Sequence, residues 1–164
     1  AVAVLDRDEQ DTVGGARPGH AAAGEEAHRH ALLAALERSQ AVIEFAPDGT
    51  IRTANQNFLS ALGDTLDEVR GRHHRIFVDP AEASTPAYAQ LWQALAAGTY
   101  QAGQYRRLAK DGREIWIQAS YNPIFDMNGR PFKVVKYASD ITERVRQEER
   151  LRHLLAQISS HAET

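Results

Sequence analysis

The chain has 164 residues, 43% hydrophobic and 25% charged, which is the composition of one globular domain with flanking segments. A formal net charge of −3 gives no reason to expect nucleic-acid binding, and no apolar run approaches the roughly 20 residues of a membrane-spanning helix. The absence of cysteine excludes thiolate nucleophiles, iron–sulfur clusters, Cys-bound zinc and a flavin–thiol adduct, and it favours a cytoplasmic location. Because the chain lacks an initiating Met and a signal-peptide pattern, we expect a fragment of a longer protein.

The N-terminal part predicts a linker followed by a helix. Residues 1–23 carry glycines and prolines among alanines and charges, without a clear period, and predict a linker or flexible arm. Residues 24–40 predict a flanking helix with an apolar stripe of Leu32, Leu33 and Leu36. A stripe this narrow is typical of a helix that packs on a partner copy or on the flank of a sheet.

The central segment, residues 41–142, predicts two strands, a group of short helices, and three more strands that alternate apolar and polar residues. The predicted strands are residues 41–46, 50–54, 100–109, 114–125 and 132–138. The predicted helices are residues 55–62, 65–69 and 85–97. This order indicates an α+β domain with one antiparallel sheet and helices on one face, and residues 143–164 predict a charged C-terminal helix.

The predicted strand at residues 114–122 has two unlike faces. One face is apolar and predicts burial: Ile115, Ile117, Ala119 and Tyr121. The other face combines an indole with two amides and a hydroxyl: Trp116, Gln118, Ser120 and Asn122. We expect this second face to line a pocket for a planar, heteroatom-rich ligand.

Four local motifs follow one another along the chain. They are Phe45-x-Pro-Asp-Gly49, the run from Asn57-Phe58 to Gly63, the hairpin at Asp111-Gly112-Arg113, and Ser139-Asp140-Ile141-Thr142. In this order they resemble a PAS domain, over about residues 39–142. Within this family, the sequence is most similar to PAS domains of bacterial chemoreceptors and aerotaxis transducers. The similarity lies in residues 71–80, 88–92 and 106–123.

The resemblance implies a five-stranded antiparallel sheet with short helices on one face, flanked by N- and C-terminal helices. It also implies a sensor, not an enzyme, whose output module lies on the same chain or another. Asp140, Ile141 and Thr142 match the triplet with which PAS domains hand over to a signalling helix. The lack of a phosphate-binding glycine loop and of a recognisable catalytic triad agrees with a role without catalysis.

One ligand that the resemblance implies is FAD, for sensing redox or oxygen status in chemotaxis or aerotaxis. An isoalloxazine needs flat apolar walls and a few amides. The residues of suitable type are Asn57, Trp92, Trp116, Gln118 and Asn122, with Arg72 and Arg75 for the pyrophosphate. Three of them have a plainer interpretation: Trp92 as core, Asn57 as a helix cap, and Asn122 bonded to its own backbone.

Haem is the alternative cofactor, with His73 or His74 as the axial ligand, and no metal site is predicted otherwise. The pair can equally be a loop or a helix cap. A third possibility is a PAS domain that holds no ligand and serves only to pair subunits.

The C-terminal helix also predicts self-association. Leu151, Leu155 and Ile158 follow the spacing of a coiled coil, while Arg144 and Glu148 fall where the apolar stripe would extend upstream. We expect a homodimer through the flanking helices.

Overall fold

The computed structural model describes residues 18–163, except for the side chains of residues 18–21, 36 and 37. Its α-helices are α1 (Pro18–Ser39), α2 (Gln56–Leu62), α3 (Leu66–Val69), α4 (Pro80–Ala83), α5 (Pro86–Ala96) and α6 (Thr142–Ala162). A 3-10 helix, His74–Phe77, lies between α3 and α4. Among the helices described, none is long and apolar enough to cross a bilayer. The chain divides after Ala35 into two compact units, so the boundary lies within α1.

The strands are β1 (Ala41–Phe45), β2 (Ile51–Ala54), β3 (Gln101–Leu108), β4 (Glu114–Phe125) and β5 (Pro131–Asp140). They form one antiparallel sheet in the order β2-β1-β5-β4-β3. This confirms the predicted α+β class and the five-stranded sheet. The register places Lys136 between Ile43 of β1 and Tyr121 of β4, and it places Arg107 opposite Ile115.

Side-chain chemistry sets the starts of the short helices. The Asn55 side chain accepts a hydrogen bond from the Phe58 N–H at 3.0 Å and caps α2. Thr65 and Glu68 form a capping box at α3, as their spacing predicts. Pro86 occupies the first turn of α5, where its missing N–H has no cost.

The structure differs from the predicted elements in two regions. α1 begins at Pro18, so residues 18–23 of the predicted linker are helical, while residues 1–17 lie outside the described residues. Residues 72–83, which lie between the predicted helices 65–69 and 85–97, contain the 3-10 helix and α4. Leu32 and Leu33 on α1 are exposed, and the side chain of Leu36 lies outside the described residues.

Gly49 holds the β1–β2 turn against the 3-10 helix. Its φ of 95° is a conformation that other residues rarely adopt. A Cβ added there would lie 2.5 Å from His73 Nε2 and 3.0 Å from Trp92. Only glycine therefore allows the hairpin to approach the histidine pair this closely.

The hydrophobic core lies between the inner face of the sheet and the short helices that cover it. The aromatic side chains buried in this core are Phe45, Phe58, Phe77, Tyr88, Trp92 and Tyr121. Three polar side chains are buried with them: His74, Arg107 and Lys136. Buried charges are rare unless they are paired or functional, so these three direct attention to the inner face.

Candidate functional site

The candidate ligand site is a cavity of about 330 Å³, called here the inner cavity. It is bordered by β1, β3, β4 and β5 on one side and by α2 and the 3-10 helix on the other. Its apolar lining comes from Phe58, Leu62, Phe77, Ile115, Ile117 and Ala138. Small-molecule sites occupy roughly 300–1,000 Å³, so the inner cavity has the size and lining of a small-ligand site.

Arg107 lines this cavity from β3 with a side chain that is only 2% exposed. Its Nη1 donates to the Arg106 carbonyl at 2.8 Å and to Glu82 Oε1 at 3.4 Å, and its Nη2 donates to the Tyr121 hydroxyl at 3.1 Å. Its Nε is buried without a hydrogen-bond partner among the described residues. The guanidinium therefore retains unused capacity to donate.

Lys136 lines the cavity from β5 and is 1% exposed. Its Nζ lies 4.8 Å from the centre of the Tyr121 ring and 3.5 Å from His74 Nε2. Within residues 18–163, no carboxylate lies within the 4.0 Å ion-pair distance of this nitrogen. Burial, and secondarily the positive charge of Arg107, hold the pKa of Lys136 well below its usual value.

His74 is fully buried and bridges two tyrosines. Its Nδ1 lies 2.8 Å from the Tyr88 hydroxyl and its Nε2 lies 3.1 Å from the Tyr121 hydroxyl. Burial, followed by the charges of Lys136 and Arg107, lowers the pKa of His74 well below 6.5, while burial raises the pKa of Tyr121 to about 12. The imidazole and the phenol are therefore neutral at neutral pH, and burial likewise disfavours the charged form of Lys136.

The polar face of β4 lies away from the inner cavity, contrary to expectation. Trp116 Nε1 donates to Glu114 at 2.7 Å, Gln118 is exposed, and Asn122 donates to the Val135 carbonyl at 3.1 Å. β4 does line the cavity, but through Ile115 and Ile117, on the face assigned to the core alone. These three predicted cofactor residues are thus separated from the cavity by the sheet.

Three other predicted residues meet outside the inner cavity. His73, Arg75 and Trp92 border a more open groove of about 480 Å³ along α4 and α5. His73 Nδ1 accepts from the Arg75 N–H at 3.1 Å, so His73 caps the 3-10 helix, and its Nε2 lies 2.8 Å from the Asp48 carbonyl. Trp92 is buried and packs edge-on against His74, so its core interpretation agrees with the structure.

The remaining two predicted residues have different positions. Asn57 borders the inner cavity from α2, and its amide donates to the carbonyls of Arg38 and Gln40 at 3.0 and 3.1 Å. Arg72 is exposed, and its carbonyl accepts from the Ile51 N–H at 2.7 Å. Of the nine residues predicted to bind a cofactor, the inner cavity therefore has only Asn57 in its lining.

The predicted relay residues connect the cavity to α6. Asp140 lines the cavity, and its Oδ1 accepts from the Thr142 N–H at 2.9 Å and from the Thr142 hydroxyl at 2.6 Å. The same hydroxyl accepts from the Trp116 N–H at 3.0 Å, and the Ile141 N–H donates to the Trp116 carbonyl at 2.8 Å. One carboxylate thus touches both the cavity and the first residue of α6.

Sequence reasoning missed the two basic residues that define the cavity. Lys136 stands between Val134 and Ala138 at every second position, which is the apolar face of a half-buried strand. Arg107 likewise shares a face with Tyr105. A charged residue in an apolar register is a signal that could have found both.

Flavin fits these residues poorly. The amides expected to meet the pyrimidine edge, Gln118 and Asn122, lie on the far side of the sheet, and the Asn57 amide is already bonded to two carbonyls. Haem fits no better, because both ring nitrogens of His73 and of His74 already have partners within hydrogen-bonding distance. A free imidazole nitrogen is what an axial ligand needs.

The chain belongs to the PAS family, because the family model described as PAS fold matches residues 37–146. It is 45% identical over 115 residues to the biofilm dispersion protein BdlA of Pseudomonas aeruginosa, covering 70% of this chain and 28% of BdlA. It is 26% identical over 121 residues to the oxygen sensor protein DosP of Escherichia coli, covering 74% of this chain and 15% of DosP. The chain therefore spans less than a third of either relative.

Solved structures agree with the family. An RNA-binding light-oxygen-voltage receptor matches with a TM-score of 0.63 and 26% identity, over 92% of this chain and 42% of that one. Fold and family together make this chain a sensory domain of the kind found in signalling proteins.

Proposed function

We propose that this PAS domain senses a small molecule in the inner cavity and passes its presence to an output module through α6. The single observation that supports this most is the position of Asp140, which borders the cavity and accepts two hydrogen bonds from Thr142 at the start of α6. A ligand that moves β5 also moves this acceptor. Loss of a helix-terminal acceptor of this kind costs about 1 kcal/mol, which changes the population of an ordered first turn roughly fivefold.

In the proposed mechanism, the signal passes from the cavity to α6 through residues of this chain. β5 carries the cavity side chains Lys136 and Ala138 and ends at Asp140. The strand pairs with β4 from Ile117↔Asp140 onward. Next to this pair, the Trp116 carbonyl accepts from the Ile141 N–H and the Trp116 N–H donates to the Thr142 hydroxyl. A change in the cavity therefore reaches α6 along one hydrogen-bonded strand pair.

A cavity-filling variant tests the location of the ligand. Octanoate and octan-1-ol are added separately to the wild type and to Ala138→Leu, whose extra carbons enter the cavity, and Tm is measured. We expect at least one compound to raise the Tm of the wild type and neither to raise that of Ala138→Leu, because a bound ligand stabilises the folded state. Ala102→Leu, at an exposed position of β3, is the control and should respond as the wild type does.

Equal responses of Ala138→Leu and the wild type to both compounds would contradict the proposal, as would no response of the wild type. If Ala138→Leu does not fold, Ala61→Leu fills the same cavity from α2 at a half-buried position and replaces it.

FAD-based redox or oxygen sensing in chemotaxis or aerotaxis, and cytoplasmic location, stay predictions. The placement of Gln118 and Asn122 gives the flavin no support from the inner cavity. An absorption spectrum of the purified protein decides between the cofactors. We expect neither a flavin band in the blue nor a haem Soret band. The presence of either band would identify the corresponding cofactor.

Homodimerisation through α6 is the second part of the proposal. Four apolar side chains on this helix are 54–66% exposed: Leu151, Leu154, Leu155 and Ile158. Leu151, Leu155 and Ile158 follow the four- and three-residue spacing of a coiled coil. A second copy of the helix is the partner that this spacing fits.

A further inference from the structure

The inner cavity is lined by two basic side chains and one carboxylate, that of Asp140. Arg107 and Lys136 line it with side chains that are 2% and 1% exposed. Glu82 meets one nitrogen of Arg107 at 3.4 Å, and its own side chain is 43% exposed. Burying a basic group without an acid is costly, and evolution retains such groups mainly where they do something.

Each basic group has a donor left over. Arg107 Nε has no partner within the described part of the chain. Among the described residues, the contacts of Lys136 Nζ are His74 Nε2 at 3.5 Å and the Tyr121 ring beside it. A guanidinium and a buried lysine amine that share one cavity suit a carboxylate, because a bound anion favours the charged form of the amine that burial and Arg107 disfavour.

The rest of the cavity is apolar, so its ligand needs an apolar body. Phe58, Leu62, Phe77, Ile115 and Ile117 form most of this lining. They exclude phosphate, sulfate and other compact, strongly hydrated anions as well-matched ligands, because such ions would leave these walls without a partner.

The two ends of the cavity also carry unlike groups, one basic and one acidic. Lys136, Ala138 and Asp140 follow one another on the inner face of β5, so about 13 Å of strand separate the Cα atoms of Lys136 and Asp140. A carboxylate is attracted to the Lys136 end and repelled at the Asp140 end. An anion with a tail is therefore oriented with its tail toward Asp140 and α6.

We propose that the inner cavity binds a small monocarboxylate with an apolar tail, whose carboxylate is held by Arg107 and Lys136. This inference rests on the proposed function, since it names the class of ligand for the same cavity. The tail, not the charge, then lies near the Asp140–Thr142 contact that begins α6.

Three probes of equal length test the charge preference in the wild-type protein. Octanoate, octan-1-ol and octylamine are titrated by calorimetry below their micellar concentrations. A charge-assisted hydrogen bond is worth about tenfold or more in affinity, so octanoate should bind at least about tenfold more tightly than the alcohol, and the amine should bind most weakly. Equal affinity of octanoate and octan-1-ol would overturn the inference.

Matched variants assign the charge to its residues. Lys136→Met and Arg107→Met should each reduce octanoate affinity about tenfold or more and leave octan-1-ol affinity within about twofold. Lys133→Met, on the other face of β5, and Arg106→Met, which is paired with Asp79 and Glu114, are the controls and should not change octanoate affinity. Lys136→Arg, which keeps a basic group, should retain the octanoate affinity that Lys136→Met loses. Unchanged octanoate affinity in both Met variants would overturn the inference.

Failure of this inference is distinguishable from failure of the proposed function. If octanoate and octan-1-ol bind equally and Ala138→Leu abolishes both, the cavity still holds the ligand and only the carboxylate assignment is wrong. If Ala138→Leu leaves both affinities unchanged, the cavity is not the ligand site and both proposals fail.

Discussion

Tyr121 is the residue on which the buried polar network converges. Its hydroxyl accepts from Arg107 at 3.1 Å and lies 3.1 Å from His74, and its ring lies below the Lys136 ammonium. The sequence predicted that Tyr121 is buried, and the structure agrees, but no pattern in the sequence revealed its partners. Those partners come from β3, β5 and the 3-10 helix, and only the tertiary fold brings these segments together.

Tyr121→Phe tests this convergence. The change leaves the shape of the core intact but removes the acceptor of a buried guanidinium hydrogen bond, so we expect the free energy of unfolding to fall by about 1–3 kcal/mol. Urea denaturation followed by circular dichroism measures it. Tyr137→Phe, at a half-buried position of β5, is the control. A loss in Tyr121→Phe no larger than in this control would contradict the role of the hydroxyl.

His74 makes stability depend on pH. Its pKa is lowered in the folded state from the ordinary 6.5, so below about pH 6.5 the unfolded chain binds a proton that the folded chain does not, and stability falls as pH falls. His73 shifts in the same direction, so a variant is needed to isolate the effect. Between pH ~7 and ~5, His74→Gln should lose less stability than the wild type, and His161→Gln, on the exposed end of α6, should lose as much. An unchanged pH profile in His74→Gln would rule this assignment out.

At the scale of elements, turn and cap chemistry predicted most of the fold. The glycines of the three hairpin turns, Gly49, Gly112 and Gly129, have positive φ, and the Thr65–Glu68 capping box is present. The site was harder to predict, because alternation along β4 identifies two faces but does not say that one face forms both core and cavity. The 3-10 helix was missed since its four residues are too few to show a period.

One carboxylate, that of Asp140, contributes two of the hydrogen bonds at the start of α6. Asp140→Ala removes the acceptor for the Thr142 N–H and hydroxyl, so we expect amide hydrogen exchange in residues 142–146 to become several-fold faster. Glu149→Ala, exposed in the middle of α6, is the matched control and should leave these amides unchanged. Equal exchange in the two variants would show that Asp140 does not hold the helix.

At the scale of the whole molecule, the exposed apolar side chains of α6 suggest an assembly larger than one chain. Leu155→Glu places a charge among four exposed apolar residues and should convert a dimer to a monomer at micromolar concentration. Ser159→Glu adds the same charge at an exposed position outside this set. Analytical ultracentrifugation measures both; a wild-type monomer, or a Leu155→Glu dimer, would contradict pairing through these residues.

The most direct test of the account is whether an occupied cavity changes α6. Amide hydrogen exchange is measured with and without octanoate, and separately with and without octan-1-ol, in the wild type and in Asp140→Ala. We predict that a compound which protects β5 also changes exchange at Ile141 and Thr142 in the wild type, and that Asp140→Ala loses the second effect while it keeps the first. Protection confined to the cavity walls, with unchanged exchange at the start of α6 in the wild type, would contradict the coupling of cavity and helix.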